Sequence, residues 1–239
     1  MTVNLRRGEK RKKPVMKAYI VDYKKLGIDR TWGGLLTYLT EEEREKALRY
    51  RFDADKIRSV VGACLIRSAA IERFPGEDIT VSKTDKGKPY ISGKEGYEFN
   101  LSHSGDLIAL AVDDRPVGID VEQIKDKNWE IFHRYLTDAE MSMIKGSDNP
   151  AGRFYEVWTI REAFSKEEGL GLSILDEEFK VDYDKRIVTY DNKSLHFRTE
   201  RYSTSDEYSI SLCSRKQVDD AVIEYPGISE WDKRIRLLK

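Results

Sequence analysis

Val117-Gly118-Ile119-Asp120-Val121-Glu122 reads as a β-strand in strict alternation. Val117, Ile119 and Val121 form one apolar face, and Gly118, Asp120 and Glu122 fall on the other. Carboxylates at i and i+2 of a strand sit roughly 6–7 Å apart and repel unless solvated, protonated or bridged by a cation. The hexapeptide alone therefore leaves two readings open, a solvated outer strand face or a site for a hard divalent ion held by oxygen ligands.

The surrounding chain narrows the choice of molecule. Its 239 residues allow one large domain or two of about 120. Charged residues make up 36% but cancel to a net charge of −1, which excludes a binder of nucleic acid driven by overall positive charge. Any anion site must be a local cluster. Cys64 and Cys213 each lie in an apolar run without metal-ligand spacing and read as small core residues. No apolar run is long enough to span a bilayer. Residues 1–13 carry Arg6, Arg7, Lys10, Arg11, Lys12 and Lys13 with no apolar segment behind them, so they read as a solvated, disordered basic tail rather than a secretory signal. A reducing, cytoplasmic setting is expected.

Val15–Tyr23 is expected to open the fold as a strand. Thr40 followed by Glu43 predicts a capping box for a helix reaching about Tyr50. Asp53 is expected to cap a longer helix ending at Pro75-Gly76, with Ile57, Val60, Val61, Cys64, Leu65 and Ala69 facing a core. A lysine-bearing loop, Thr84–Tyr90, follows a short strand at 79–82. Strands at 99–102 and 107–113 are joined by His103-Ser104-Gly105-Asp106. The second half repeats the order: a helical turn or two at 129–135, a Thr137/Glu140 capping box, a long helix from Asn149-Pro150 to Gly169, then strands near 179–181, 187–190, 195–202, 208–213 and 221–225. This element order predicts an α+β molecule of two similar halves related by pseudo-two-fold symmetry, residues 14–114 and 115–239.

On the long helix, Phe154, Val157, Ile160 and Phe164 form an apolar arc, and Tyr155, Trp158, Glu162 and Lys166 share the neighbouring one. Glu162 and Lys166 could be a simple i, i+4 surface pair, but the accompanying Trp158 suggests a partly buried or ligand-facing stripe. Arg161 falls inside the apolar arc, so it must snorkel out or meet an anion.

Three segments read together carry a resemblance. Phe99-Asn100-Leu101-Ser102-His103-Ser104-Gly105, Val117–Glu122, and Trp158-Thr159-Ile160-Arg161-Glu162-Ala163-Phe164-Ser165-Lys166 with Gly169-Leu170-Gly171-Leu172 behind it resemble, in order and spacing, the signature blocks of 4′-phosphopantetheinyl transferases. The length, the Glu45-Lys46 helix, the Arg58-Ser59 pair and the Gly87-Lys88-Pro89 loop look like the monomeric surfactin-activating (Sfp) type rather than the short trimeric holo-acyl-carrier-protein synthases.

The resemblance implies transfer of the phosphopantetheine arm of coenzyme A to a serine of an apo acyl or peptidyl carrier protein, leaving adenosine 3′,5′-bisphosphate. It implies Mg²⁺ on the pyrophosphate, held by Asp120, Glu122 and Glu162, in keeping with how that ion binds carboxylates and substrate phosphates. By the same likeness Glu162 is the candidate base and Lys166 the group facing the leaving phosphate. Lys46, Arg58, Ser59, Lys88, Ser102, His103 and Asp120 match coenzyme A contacts. Two positions depart from the family pattern. Arg161 stands where a lysine is usual, keeping the charge but not the geometry, and Glu43 stands where some relatives carry a basic residue, which would weaken a 3′-phosphate site.

The carrier is expected to present an acidic helix near the crossing between the halves. Residues 128–145 are a candidate contact, because Trp129, Ile131, Phe132, Tyr135, Met141 and Met143 are more apolar than an exposed stretch requires. A non-catalytic coenzyme A or nucleotide scaffold is disfavoured by the presence of all three acids and Lys166. A phosphohydrolase would need a water-activating His or a second metal cluster that the sequence does not show.

Overall fold

Leu107–Asp113 is apolar on both sides, and the two sides meet different layers. Leu107, Ala109 and Ala111 join one apolar cluster, while Ile108 and Leu110 join another. The computed structural model describes residues 16–85, 87–126, 129–169, 171 and 179–239. The basic tail, Asn128, Leu170 and Leu172 lie outside the described residues.

In chain order the elements are β1 (Lys17–Asp22), α1 (Glu41–Leu48), α2 (Asp53–Arg73), β2 (Val81–Lys83), β3 (Pro89–Ile91), β4 (Glu98–Ser104), β5 (Leu107–Asp113) and β6 (Val117–Gln123). They continue with α3 (Asp138–Lys145), α4 (Pro150–Glu168), β7 (Lys180–Asp182), β8 (Ile187–Tyr190), β9 (Lys193–Ser203), β10 (Glu207–Ser214), β11 (Val222–Glu224) and α5 (Ile228–Arg236). Turns of 3₁₀ helix lie at Ile28–Arg30, Trp32–Tyr38 and Trp129–Tyr135. The architecture is α+β. One sheet has the order β11-β1-β5-β4, a second β6-β10-β9-β8-β7, and β2 pairs with β3 alone.

These sheets pack face to face. Ala18, Ile20, Leu107, Ala109 and Ala111 of the first meet Val117, Ile119, Val121, Ile210 and Leu212 of the second. The outer face of the first sheet is covered by α2, through Val60, Val61, Cys64 and Leu65. The outer face of the second is covered by α4, through Ile160, Ala163 and Phe164, against Val188, Leu195 and Phe197. Both cysteines are buried and free. The chain's last strand and helix return to the first sheet. β11 runs parallel to β1, and Arg234 of α5 stacks 3.8 Å from the Tyr19 ring while pairing with Glu72 at 3.1 Å.

Each short helix is tied to the long helix after it in the same way. Thr40 and Glu43 form the expected capping box of α1, and Glu43 also pairs with Arg67 of α2 at 3.0 Å. Thr137 and Glu140 form that of α3, and Glu140 pairs with Arg161 of α4 at 3.1 Å. Arg161 therefore meets an anion inside the protein rather than snorkelling out, and it also lies 4.2 Å from the Phe179 ring. Tyr183 donates to the same carboxylate at 2.7 Å. Several details differ from expectation: the Pro89-Tyr90 end of the expected loop pairs as β3, and α5 follows the last strand. Phe52, not Asp53, is the N-cap of α2; Asp53 is the first helical residue, and its carboxylate accepts from Lys56 at 2.8 Å. β4 also runs through His103 and Ser104, so the turn into β5 is confined to Gly105-Asp106. Gly105 has φ +54, and a Cβ there would meet Tyr208 Oη at 2.6 Å, which demands glycine.

Small residues set how closely α4 lies on its sheet. A Cβ on Gly118 would fall 1.8 Å from the Ala163 carbonyl oxygen, and the Thr159 hydroxyl contacts those of Ser211 at 2.8 Å and Ser209 at 3.2 Å. Gly118→Ala is expected to cost about 3 kcal/mol or more, because backbone must shift rather than a flexible side-chain end; urea denaturation would measure it. Arg161→Leu, which strands Glu140 in the interior, is expected to lose about 3–5 kcal/mol. Arg67→Leu, whose partner Glu43 is part-exposed, should lose distinctly less in the same experiment.

Candidate active site

The site lies at the corner where the edge strands β4 and β6 meet. β6 pairs with β10 on one side only, so the N–H groups of Ile119, Val121 and Gln123 have no strand to bond on the other. Side chains of β4 supply the acceptors. Asn100 Oδ1 takes the Ile119 N–H at 3.3 Å, Ser102 Oγ that of Val121 at 3.3 Å, and Ser104 Oγ that of Gln123 at 3.1 Å. Asn100 and the two serines recur at period two, the spacing that puts them on one side of β4.

Asp120 and Glu122 project from β6 toward α4, which carries Glu162 and Lys166 one turn apart. Asp120 is 2% exposed, so the solvated-face reading of this strand is excluded. Asp120 Oδ1 accepts from Lys166 Nζ at 2.6 Å and from Ser102 Oγ at 2.8 Å, and Lys166 also reaches Ser102 Oγ at 2.9 Å. Asp120 Oδ2 is buried without a hydrogen-bond partner among the described residues. Glu122 Oε2 accepts from Ser104 Oγ at 2.7 Å. Burial pushes the Glu122 carboxyl up; the Ser104 hydrogen bond opposes this, and the Asp120 charge adds to it. Burial and the charges of Asp120 and Glu122 push Glu162 up to about 7, with Lys166 opposing.

Among the described residues no trio of acidic, histidine or cysteine side chains converges as a ready-made metal cage. The donor chemistry nevertheless fits a hard divalent ion. Glu162 is raised by burial and then by its acidic neighbours, and an orphaned, buried carboxylate oxygen on Asp120 lacks a donor.

His103, on the alternate side of β4, points the other way. Together with Lys46, Tyr50, Arg58 and Ser59 it lines a cavity of 210 Å³ between α1, α2 and β4. Glu43 lines the same cavity, but its carboxylate is engaged by Arg67 and by the Thr40 backbone. Arg58 donates to the Gly105 carbonyl at 2.7 Å and pairs with Asp55. Partial desolvation, followed by the Arg58 and Lys166 cations, holds His103 below the usual imidazole range. Lys88 lies beside this cavity in a neighbouring shallow groove, near the end of α4 where Gly169 approaches its side chain. Ser102, expected among the coenzyme A contacts, turns its hydroxyl to Asp120 and Lys166 instead of into the cavity. Sequence reasoning gave no role to Asn100, Ser104 or Tyr50. For Asn100 the signal was present as a polar residue between Phe99 and Leu101.

A carboxyl raised in the folded protein holds its proton more tightly than in the unfolded chain. The stability it contributes is whole below the unfolded value of 4.5 and falls as pH rises toward about 7. For Glu162 the loss is on the order of 3 kcal/mol. Glu162→Gln is therefore expected to melt like the wild type near pH 4.5 and at a higher temperature at pH 8, both in EDTA. A melting difference that does not grow with pH would remove the electrostatic crowding.

Comparison with known proteins reaches both halves of the site. Residues 27–115 match the family described as 4′-phosphopantetheinyl transferase, N-terminal, and residues 116–213 match the 4′-phosphopantetheinyl transferase superfamily. A 4′-phosphopantetheinyl transferase of Bacillus subtilis is 34% identical over 190 residues, covering 75% of this chain and 84% of its own. The 4′-phosphopantetheinyl transferase Sfp of Bacillus subtilis strain 168 is 32% identical over 188 residues, covering 75% and 83%. A Xenopus laevis L-aminoadipate-semialdehyde dehydrogenase-phosphopantetheinyl transferase is 26% identical over 184 residues, covering 70% and 60%. With the acids of β6 and α4 and the cationic cavity beside β4 all inside the matched residues, this chain belongs to the 4′-phosphopantetheinyl transferase superfamily and is an enzyme of that activity.

Proposed function

We propose that the enzyme moves the 4′-phosphopantetheine arm of coenzyme A onto a serine of an apo acyl or peptidyl carrier protein, with Mg²⁺, releasing the holo-carrier and adenosine 3′,5′-bisphosphate. The observation that carries this reading is the convergence of Asp120, Glu122, Glu162 and Lys166 next to a cavity lined by Lys46, Arg58 and His103. One side of β4 offers cations to a terminal phosphate, and the other offers carboxylates and an ammonium to a pyrophosphate.

Asp120, Glu122 and Glu162 would hold the Mg²⁺. Bound there, the ion supplies charge neutralisation for the pyrophosphate. Glu162, with a carboxyl near neutrality, accepts the proton of the carrier serine hydroxyl. Lys166 Nζ, already held by Asp120 and Ser102, faces the phosphate that leaves. Lys46, Arg58 and Lys88 receive the 3′-phosphate and adenine end. His103, neutral at physiological pH, donates an N–H to phosphate, and Ser59 adds a short hydrogen bond, while Ser102, its proton committed to Asp120, holds Asp120 and Lys166 in place. Asp120 would serve both the ion and coenzyme A.

We read the chain as a cytoplasmic monomer of two pseudo-two-fold halves, residues 14–114 and 115–239. The matching Glu43–Arg67 and Glu140–Arg161 ties support that reading. Among the described residues no helix is long and apolar enough to cross a membrane. For the carrier contact around 128–145, Ile131 remains 64% exposed. Phe132 and Tyr135 instead pack on Trp158, at 5.0 and 6.0 Å, and stabilise α4.

Incubation with coenzyme A, Mg²⁺ and apo-carrier should add the phosphopantetheine mass to the carrier, read by mass spectrometry. Glu162→Ala is expected to lower the rate by about 10²–10⁴, and Asp120→Ala to abolish the mass shift. An unmodified carrier across acyl and peptidyl types, with wild-type enzyme, would sink the proposal.

A further inference from the structure

We infer that Ser104 is a positioning residue for Glu122, and that the polar ladder of β4 joins the two sheets and aims the acids with the same hydroxyls. This rests on the reading of Asp120, Glu122 and Glu162 as the cation-holding set.

The three rungs differ in what they do beyond the joint. Ser104 Oγ accepts from Gln123 N at 3.1 Å, and its single proton goes to Glu122 Oε2 at 2.7 Å. Ser102 Oγ accepts from Val121 N at 3.3 Å and from Lys166 Nζ at 2.9 Å, and its proton goes to Asp120 Oδ1 at 2.8 Å. Asn100 Oδ1 accepts from Ile119 N at 3.3 Å and touches no acid of the set. Each serine thus satisfies an edge-strand donor of β6 and, in the same geometry, fixes the carboxylate of the residue before that donor in the chain.

Glu122 needs such a constraint more than Asp120 does. Its side chain has one more rotatable bond, and Ser104 is the one hydrogen-bond partner that its carboxylate has among the described residues. The bond stabilises the ionised form against the burial and the Asp120 charge that oppose it. A hydroxyl anchored to backbone is a rigid donor, and groups that orient metal-binding carboxylates typically contribute 10–100-fold in affinity. Ser104 does not itself reach the reacting atoms; it acts through Glu122.

Asn100 makes the test internal to the molecule. Mn²⁺ is the probe, its dissociation constant read from the electron paramagnetic resonance of the free ion, with saturating coenzyme A and no carrier present. Melting temperature is read in parallel. Ser104→Ala is expected to weaken Mn²⁺ binding by about tenfold or more, and Ser104→Thr, which keeps the hydroxyl, to bind as the wild type does. Asn100→Ala is expected to lower the melting temperature and leave Mn²⁺ affinity unchanged. Should Ser104→Ala not fold, Ser104→Cys retains the volume without a strong donor and is expected to show the same weakening. Wild-type Mn²⁺ affinity in Ser104→Ala or Ser104→Cys would overturn the inference, as would equal weakening in Asn100→Ala, which would make the ladder a joint and nothing more. Wild-type enzyme that takes up no Mn²⁺ would overturn the cation reading of the three acids and this inference with it.

Discussion

The molecule depends on how β6 is satisfied as an edge strand. Its outward N–H groups, at Ile119, Val121 and Gln123, would be orphaned donors beside a buried corner, and such groups are rarely left unpaired. Another strand could have covered them, but a strand would have closed the corner. Asn100, Ser102 and Ser104 cover them with side-chain oxygens instead. The two sheets are thereby locked in one register, 100 against 119, 102 against 121 and 104 against 123, while the space beyond the corner stays open to α4.

The second constraint is the contact of Gly118 with the Ala163 backbone. Gly118 is two residues before Asp120, and Ala163 is next to Glu162. An approach at that point fixes the gap between the acids of the strand and the acid of the helix. The hydroxyls of Thr159, Ser209 and Ser211 fill the adjoining interface without adding bulk. Crowding three carboxylates in this way opposes folding, and Lys166 offsets only part of it. The counterweight lies one helical face away, where Arg161 and Tyr183 both donate to the buried Glu140 carboxylate and Arg161, its Nε without a partner among the described residues, covers the Phe179 ring. The Arg161 and Glu43 departures from the family pattern both belong to helix-tying ion pairs, one in each half. Their positions answer to packing, which the resemblance could not reveal.

Much of this was legible in the residues. The alternation of Val117–Glu122, the capping boxes at Thr40 and Thr137, and the Asn149–Gly169 helix follow from local rules, and each forms where its pattern places it. What escaped is non-local. α5, with Trp231 and Arg234 packed on Tyr19 and Glu72, is a helix whose reason lies in β1 and α2, far away in sequence. Strands such as 207–214 carry small polar residues because a helix crosses them, and nothing within the strand says so. Ser104 was hidden for a related reason: within its strand it is an ordinary turn-flanking serine, and its importance comes from Gln123 and Glu122 on another sheet.

The alternation of β4 explains why one short motif can serve two chemistries. In Ser102-His103-Ser104 the side chains divide two to one across the strand. Both serines face the carboxylates, and His103 faces the cavity with Arg58 and Lys46. A helix would spread three consecutive residues around its axis and could not sort them to opposite sides. The strand keeps the cationic cavity and the acid cluster only its own thickness apart, while its backbone stands between them, so neither set collapses into a salt bridge with the other. Lys166 reaches the acids without crossing the strand, because it comes from α4 on the acid side. A substrate carrying phosphate at two separated positions is the kind of molecule such a partition can hold at both ends.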